Sequence, residues 1–394
     1  MDEFISSERH HAEVAALQNE IYRLTRYISD AEAEHIKKNM TDPCDPFDNP
    51  TEYHDYHDDY TEIQPLIADP EYKPEFEPSA DERSNLKSCY AVGGWCNLLR
   101  FFVSFTLCQV ILLAVTYFIE SGNPQADKLS VSTYISGSSV FSGINMLVFG
   151  LTNVAFAFLG MKLSGQRMSS MIKTRNYTFL NFLEYSLIGF FLWFISVTLG
   201  NISIEAFSSV GIKIVSGESP VTGMGLAVYA VYTCIVAPVT EELFYRGMML
   251  RVFSKANQRF GILCTALMFG LGHGNIPQFI LGFIVGIFLA HITLRHNSIV
   301  PAMIVHAVLN TMNVALSMIE FTQHEMELLV NIGMTVAFAG LLTLLLFRAR
   351  NRMPLAAPAQ VSRGAIVAAG SIGMVLCVFF HIIYMVVNIY SLNI

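Results

Sequence analysis

Charge is scarce in this sequence. Asp, Glu, Lys and Arg make up 14% of its 394 residues, against about a quarter in an ordinary soluble domain. That deficit, with 53% apolar residues and a mean hydropathy of +0.45, excludes a water-soluble globular fold and points to a polytopic membrane protein. No stripe of Lys and Arg exists outside short loops, which excludes nucleic acid as a partner. Paired cysteines are lacking too. Cys44, Cys89, Cys96, Cys108, Cys234, Cys264 and Cys377 are scattered with no CxxC, so neither a disulfide framework nor a zinc knot is indicated. The first thirty residues have no basic start followed by an apolar core, so no secretory signal peptide is expected and the N-terminus should stay where it was made.

The acidic residues that are present crowd into residues 1–92. There Ser7 is placed to cap a helix in which Leu17, Ile21, Leu24 and Ile28 recur at three- and four-residue steps, an apolar face suited to a partner protein. The stretches T-D-P-C-D-P-F-D-N-P and P-E-Y-K-P-E-F-E-P that follow are too polar and too rich in proline to bury a core, and read as a disordered linker. His54, Asp55, His57, Asp58 and Asp59 within it read as a solvated acidic tether, not a metal site.

From residue 97 onward, apolar segments of roughly the 20 residues needed to cross a bilayer fall at 97–119, 137–161, 178–200, 223–245, 258–273, 277–294, 298–318, 329–347 and 365–390. The expected fold is all-α: a transmembrane bundle of eight or nine spans over 97–394, behind a soluble acidic segment, 1–92. The fifth and sixth spans are short and interrupted by G-H-G-N-I-P. Basic residues in short loops mark the cytoplasmic side. Arg83, Lys87 and Arg100 before the first span, and the Lys and Arg that follow the second, fourth, sixth and eighth, all fall on one side. A cytoplasmic N-terminus is therefore expected, with the C-terminus outside.

Charges inside the spans need a reason, since each costs a few kcal/mol or more at mid-bilayer. Residues 240–247 read T-E-E-L-F-Y-R-G, and His273, His306 and Asn310 follow on later spans. Counting about 1.5 Å per residue from the expected helix ends puts Glu241, His273 and Asn310 roughly 20 Å deep and His306 roughly 14 Å deep. Three helices thus bring polar groups to one layer. Glu242 and Arg246, at i and i+4, can pair, whereas Glu241 points about 100° away and is free to act as a base. His306 and Asn310 can both donate hydrogen bonds into the same space, as an oxyanion site requires. Interhelical staples are the plainer reading of any one of these residues, but explain their convergence poorly. No repeat of the span pattern supports a secondary transporter.

These motifs resemble the CPBP family of CAAX prenyl endopeptidases and Abi-type bacteriocin-processing or self-immunity proteins. The residues that carry the resemblance are E-E-L-F-Y-R (Glu241 to Arg246), F-G-L-G-H (Phe269 to His273), F-I-V-G (Phe283 to Gly286) and H-A-V-L-N (His306 to Asn310), within a protease-like core of about 178–320. Asn297-Ser298 stands where the family usually has Gly-Ser. The resemblance implies an intramembrane endopeptidase acting on a membrane-associated or lipidated peptide, in the multi-pass setting of a bacterial cell membrane. It implies Glu241 as the base, aided by His273, with His306 and Asn310 on the oxyanion and Glu242 and Arg246 shaping the site. Zinc, if the reaction uses it, would be held by Glu241, His273 and His306, although no H-E-x-x-H is present. The rival reading is a non-catalytic scaffold or self-immunity protein of the same fold.

Overall fold

The structure, a computed structural model, describes residues 80–122, 128–136, 138–174, 177–214, 224–255, 258–319, 321–350 and 366–391. The chain divides into two units, Met1–Ile63 and Gln64–Ile394, and all described residues belong to the second. The expected amphipathic helix and acidic tether lie outside the described residues.

Every described element is a helix. In chain order they are α1 (Ala80–Gly122), α2 (Lys128–Ser136), α3 (Ser139–Leu163), the single turn α4 (Ser169–Ile172) and α5 (Phe179–Ser209). Next comes α6, one continuous rod from Met224–Val231 to Leu250–Ser254. Then follow α7 (Gln258–Leu271), α8 (Ile276–His296), α9 (Val300–Ser317), α10 (Gln323–Arg350) and α11 (Ile372–Ser391). Eight helices are long and apolar enough to cross a membrane: 84–122, 139–163, 179–209, 226–254, 276–296, 300–317, 323–348 and 372–389. The chain is an all-α polytopic membrane protein.

The fifth expected span is α7. Its 14 residues reach only about 21 Å, short of a hydrocarbon core about 30 Å thick. Its end is set by G-H-G-N-I-P. Gly274 takes φ +70, a left-handed conformation that favours glycine. The side chain of Asn275 then caps α8 by accepting from the Gln278 amide at 2.9 Å, with Pro277 in the first turn. The other starts are equally local: Ser138 caps α3, and Thr178 with Asn181 forms a reciprocal capping box on α5.

One expectation needs correction. The first span does not begin at 97, because α1 starts at Ala80, and Arg100 is therefore not a loop residue. It lies inside the span, 6% exposed, among Asn97, Asn153 and Tyr245. Arg83, Lys87 and Arg100 all lie on α1 and drop out of the count of basic loop residues.

The helix α6 is unusual in its backbone. Two π-helical segments, Tyr232–Val236 and Leu243–Met249, flank the α-helical turn Ala237–Glu242 that carries the glutamate pair. Single π turns occur often at functional sites, where the extra residue re-aims side chains. The helices form two cores. One gathers Phe244, Met248, Phe253, Met268 and Phe269; the other gathers Tyr185, Leu289, Val305 and Leu309. Large apolar side chains such as Leu113, Phe118, Leu180 and Phe338 point outward, as a lipid-facing surface allows.

Candidate active site

Glycine makes the site possible. A Cβ on Gly270 would meet the Phe279 carbonyl oxygen at 2.8 Å, and one on Gly286 would meet Ala266 Cα at 3.3 Å. The α7 and α8 backbones thus approach closely. The carbonyl of Gly286 thereby comes within reach of α6, where it accepts from Arg246 Nη2 at 3.3 Å. The other Arg246 terminus donates to Glu242 Oε1 at 2.8 Å, both side chains being fully buried. The guanidinium also lies 4.4 Å from the centre of the Phe269 ring, a cation–π contact.

Glu242 Oε1 takes a second hydrogen bond, from His306 Nδ1 at 2.9 Å. With Glu242 a carboxylate, Nδ1 carries a proton, and in the neutral form of the ring Nε2 is a lone pair. Nε2 stands 3.9 Å from Glu241 Oε2. Glu241 itself is 22% exposed at its side chain, whereas Glu242 is 0% exposed. The two adjacent carboxylates therefore differ in kind: one is locked into an Arg–His network, and the other faces space.

That space is a cavity of about 130 Å³ lined by Glu241 and His273, together with Arg100, Asn153, Tyr232, Tyr245 and several aromatic rings. His273 Nδ1 donates to the Phe269 carbonyl at 2.8 Å, which again leaves Nε2 as the acceptor in the neutral ring. Phe269 is the hub. Its ring packs edge-to-face with His273 at 5.0 Å, His306 at 5.8 Å and Tyr245 at 5.1 Å.

Asn310 has a different occupation. Its Nδ2 donates to the Thr233 carbonyl at 2.9 Å. In the first π segment the Ala237 N–H is bonded to Tyr232 O, and the next residue is Pro238, which has no N–H. The Thr233 carbonyl thus lacks a donor within its own helix, and Asn310 supplies one. That bond uses one of the two hydrogens on Asn310 Nδ2 and leaves the other, while His306 uses Nδ1 on Glu242 and keeps Nε2. Among the described residues no three His, Cys, Asp or Glu side chains are grouped to hold a metal ion. His273 and His306 bond through Nδ1 to the Phe269 carbonyl and Glu242, so Nε2 of each neutral ring would be the nitrogen turned to a metal.

Sequence reasoning missed the α1–α3 wall. Arg100 donates to Asn153 Oδ1 at 2.6 Å, to Asn97 Oδ1 at 3.0 Å and to the Tyr245 hydroxyl at 3.0 Å. Ser104 and Thr152 bond one turn further on, at 2.6 Å. A signal was available, because Asn97, Arg100 and Ser104 recur at helical spacing inside an apolar run.

Residues 223–312 match the family model described as Rce1-like, the type II CAAX prenyl endopeptidases. No curated protein and no solved structure matches the chain. The matched stretch contains Glu241 to Arg246, His273, His306 and Asn310, but neither Arg100 nor Asn153.

Proposed function

We propose, from the premise that residues 223–312 are of the type II CAAX prenyl endopeptidase family, that this chain hydrolyses a peptide bond of a prenylated or otherwise membrane-associated peptide inside the bilayer. The observation that carries this reading is the division of labour between adjacent glutamates. Glu242 is held by Arg246 and His306, while Glu241 opens onto a cavity that can admit water. Glu241 serves as general base, removing a proton from a water that attacks the carbonyl carbon. His273, with Nε2 free to accept, orients that water. His306, held by Glu242 through Nδ1, stands with Nε2 3.9 Å from Glu241 Oε2; Asn310 fixes α6 against α9 by bonding Thr233.

The test follows cleavage of an internally quenched prenylated CAAX peptide, and of the same peptide without its prenyl group, by purified protein in detergent and in liposomes. Glu241→Gln should abolish cleavage while leaving the melting temperature within a few degrees of wild type. Equal rates for wild type and Glu241→Gln would overturn the hydrolytic reading and favour a scaffold of the same fold. Loss of cleavage on removing the prenyl group would show that lipid is part of what is recognised.

A further inference from the structure

The helix α11 lies outside the stretch 223–312 matched by the family model and still reaches the site. It is apolar enough to cross a membrane. Even so, Cys377, His381, Tyr384 and Asn388 recur on it at steps of four, three and four residues, which is one face of a helix. A polar face on a membrane span turns toward the protein interior. This one turns toward α7 and the turn that follows it. Cys377 Sγ lies 3.9 Å from Met268 Sδ, and Asn388 Nδ2 donates to the Gly274 carbonyl at 2.9 Å.

Gly274 needs that donor. The residue is buried, and no backbone N–H among the described residues donates to its carbonyl; a buried carbonyl left without a partner is costly. The fit is also steric. A Cβ on Gly274 would fall within the ring of Tyr384 and 3.1 Å from Asn388 Nδ2. The same Tyr384 ring packs edge-to-face on Phe101 at 4.8 Å, and Phe101 lines the cavity together with Glu241 and His273. His273, the residue before Gly274, is tied to its own helix, because Nδ1 bonds the Phe269 carbonyl one turn back at 2.8 Å. The imidazole therefore moves with the backbone of this turn. An asparagine between membrane helices is ordinarily glue, but here the carbonyl it holds is next to a cavity histidine.

The geometry points to Asn388 and Tyr384 as positioning residues for peptide hydrolysis: by holding Gly274 they set where His273 stands in the cavity it shares with Glu241, an assignment that rests on the hydrolytic reading of Glu241. Neither residue lines the cavity; both act through His273. Asn388 contributes the hydrogen bond that fixes the turn. Tyr384 contributes a ring that stops the turn from moving toward α11, so its hydroxyl is dispensable for this task. The working unit of the protein thus extends beyond the matched stretch to a helix distant from it in sequence.

The experiment compares full-length wild type, Asn388→Leu, Asn388→Gln, Tyr384→Phe and Glu241→Gln in detergent on the quenched prenylated peptide, and follows amide hydrogen exchange in each protein by mass spectrometry. Asn388→Leu should lower kcat by about 10- to 100-fold, the scale of a small misplacement of a reacting group, with KM within about threefold. Exchange should rise in peptides covering the turn between α7 and α8 and stay at the wild-type level in those covering α9. Asn388→Gln, which keeps an amide donor, should recover part of kcat, and Tyr384→Phe should match wild type. A kcat for Asn388→Leu within about threefold of wild type overturns the assignment and leaves Glu241 as base. So does exchange that rises throughout the bundle, which would make Asn388 a prop of the fold as a whole. If Asn388→Leu does not stay monodisperse, the same kcat-against-KM split and the same local exchange are read from Tyr384→Leu, which removes the ring. Wild type that cleaves no better than Glu241→Gln sinks the hydrolytic reading itself, and this assignment with it.

Discussion

Glu242 carries two hydrogen bonds on Oε1, from Arg246 and His306, and none on Oε2. Removing the arginine would leave that carboxylate buried with only a histidine to meet it. Arg246→Ala should therefore lose about 3–5 kcal/mol of stability, as expected when one partner of a buried pair is deleted. Glu242→Gln, which removes the charge and keeps the shape, should lose less; thermal unfolding in detergent would rank the two. Gly272 is a second sensitive position. A Cβ there would meet the Tyr245 hydroxyl at 2.8 Å, the same hydroxyl that accepts from Arg100. Gly272→Ala should lower the rate of peptide cleavage by tilting Tyr245 away from Arg100, with a smaller effect on the melting temperature. Asn297 shows why a glycine is common at its position in the family. It takes φ +47 at the end of α8, a left-handed cap that glycine adopts freely and asparagine tolerates best among the rest.

At the scale of elements, α6 and α9 are coupled through an orphan carbonyl as well as through the His306–Glu242 bond. Pro238 removes the N–H that would serve Thr233, and Asn310 replaces it. Asn310→Ala should cost about 1–3 kcal/mol, the range for leaving a buried acceptor unsatisfied. In a Pro238→Ala background, where the helix regains an N–H, the cost of Asn310→Ala should shrink; a double-mutant cycle measured by unfolding would show the coupling. Independent, additive losses would rule out this account of Asn310. The α7–α8 crossing gives another contrast. Gly270→Ala would press a methyl onto the Phe279 carbonyl oxygen, a backbone atom, and should destabilise by about 1–3 kcal/mol. Gly333→Ala meets only the ring of Phe194, at 3.2 Å, and should cost far less in the same assay.

These elements were unequally legible. The spans at 139–163, 276–296 and 300–317 lie within two residues of those expected, because long apolar runs allow few alternatives and Ser138, Asn275 and Pro301 mark their starts. The first span starts earlier than expected because α1 runs on through the polar residues N-terminal to 97, where hydropathy gives no signal. The π segments of α6 could not be read at all, since they depend on which carbonyl each N–H chooses once neighbouring helices are in place.

For the whole molecule, the bundle is turned outward to lipid. Phe338, near the middle of α10, is 70% exposed. In water a charge at such a position would be harmless, whereas at mid-bilayer it costs about 2.5–3.5 kcal/mol on an insertion scale. Phe338→Arg should therefore lower the membrane-inserted fraction in a microsomal insertion assay, while Glu327→Arg, near the start of the same helix, should leave it nearly unchanged.

The sequence by itself determined that this chain is an all-α membrane bundle, that charges lie within its spans, and which residues of α6, of α9 and of the turn after α7 are candidates for chemistry. Composition and periodicity suffice for that, because the bilayer forbids unpaired backbone and penalises every charge that lacks a purpose. Only the tertiary structure decided that His306 joins the Glu242–Arg246 pair, that Asn310 serves a carbonyl, and that Arg100 lines the same cavity as Glu241. Those outcomes depend on the approach of helices distant in sequence, set by glycines at their crossings and by the competition among carbonyls for a limited number of donors. Such contacts have no local signature along the chain.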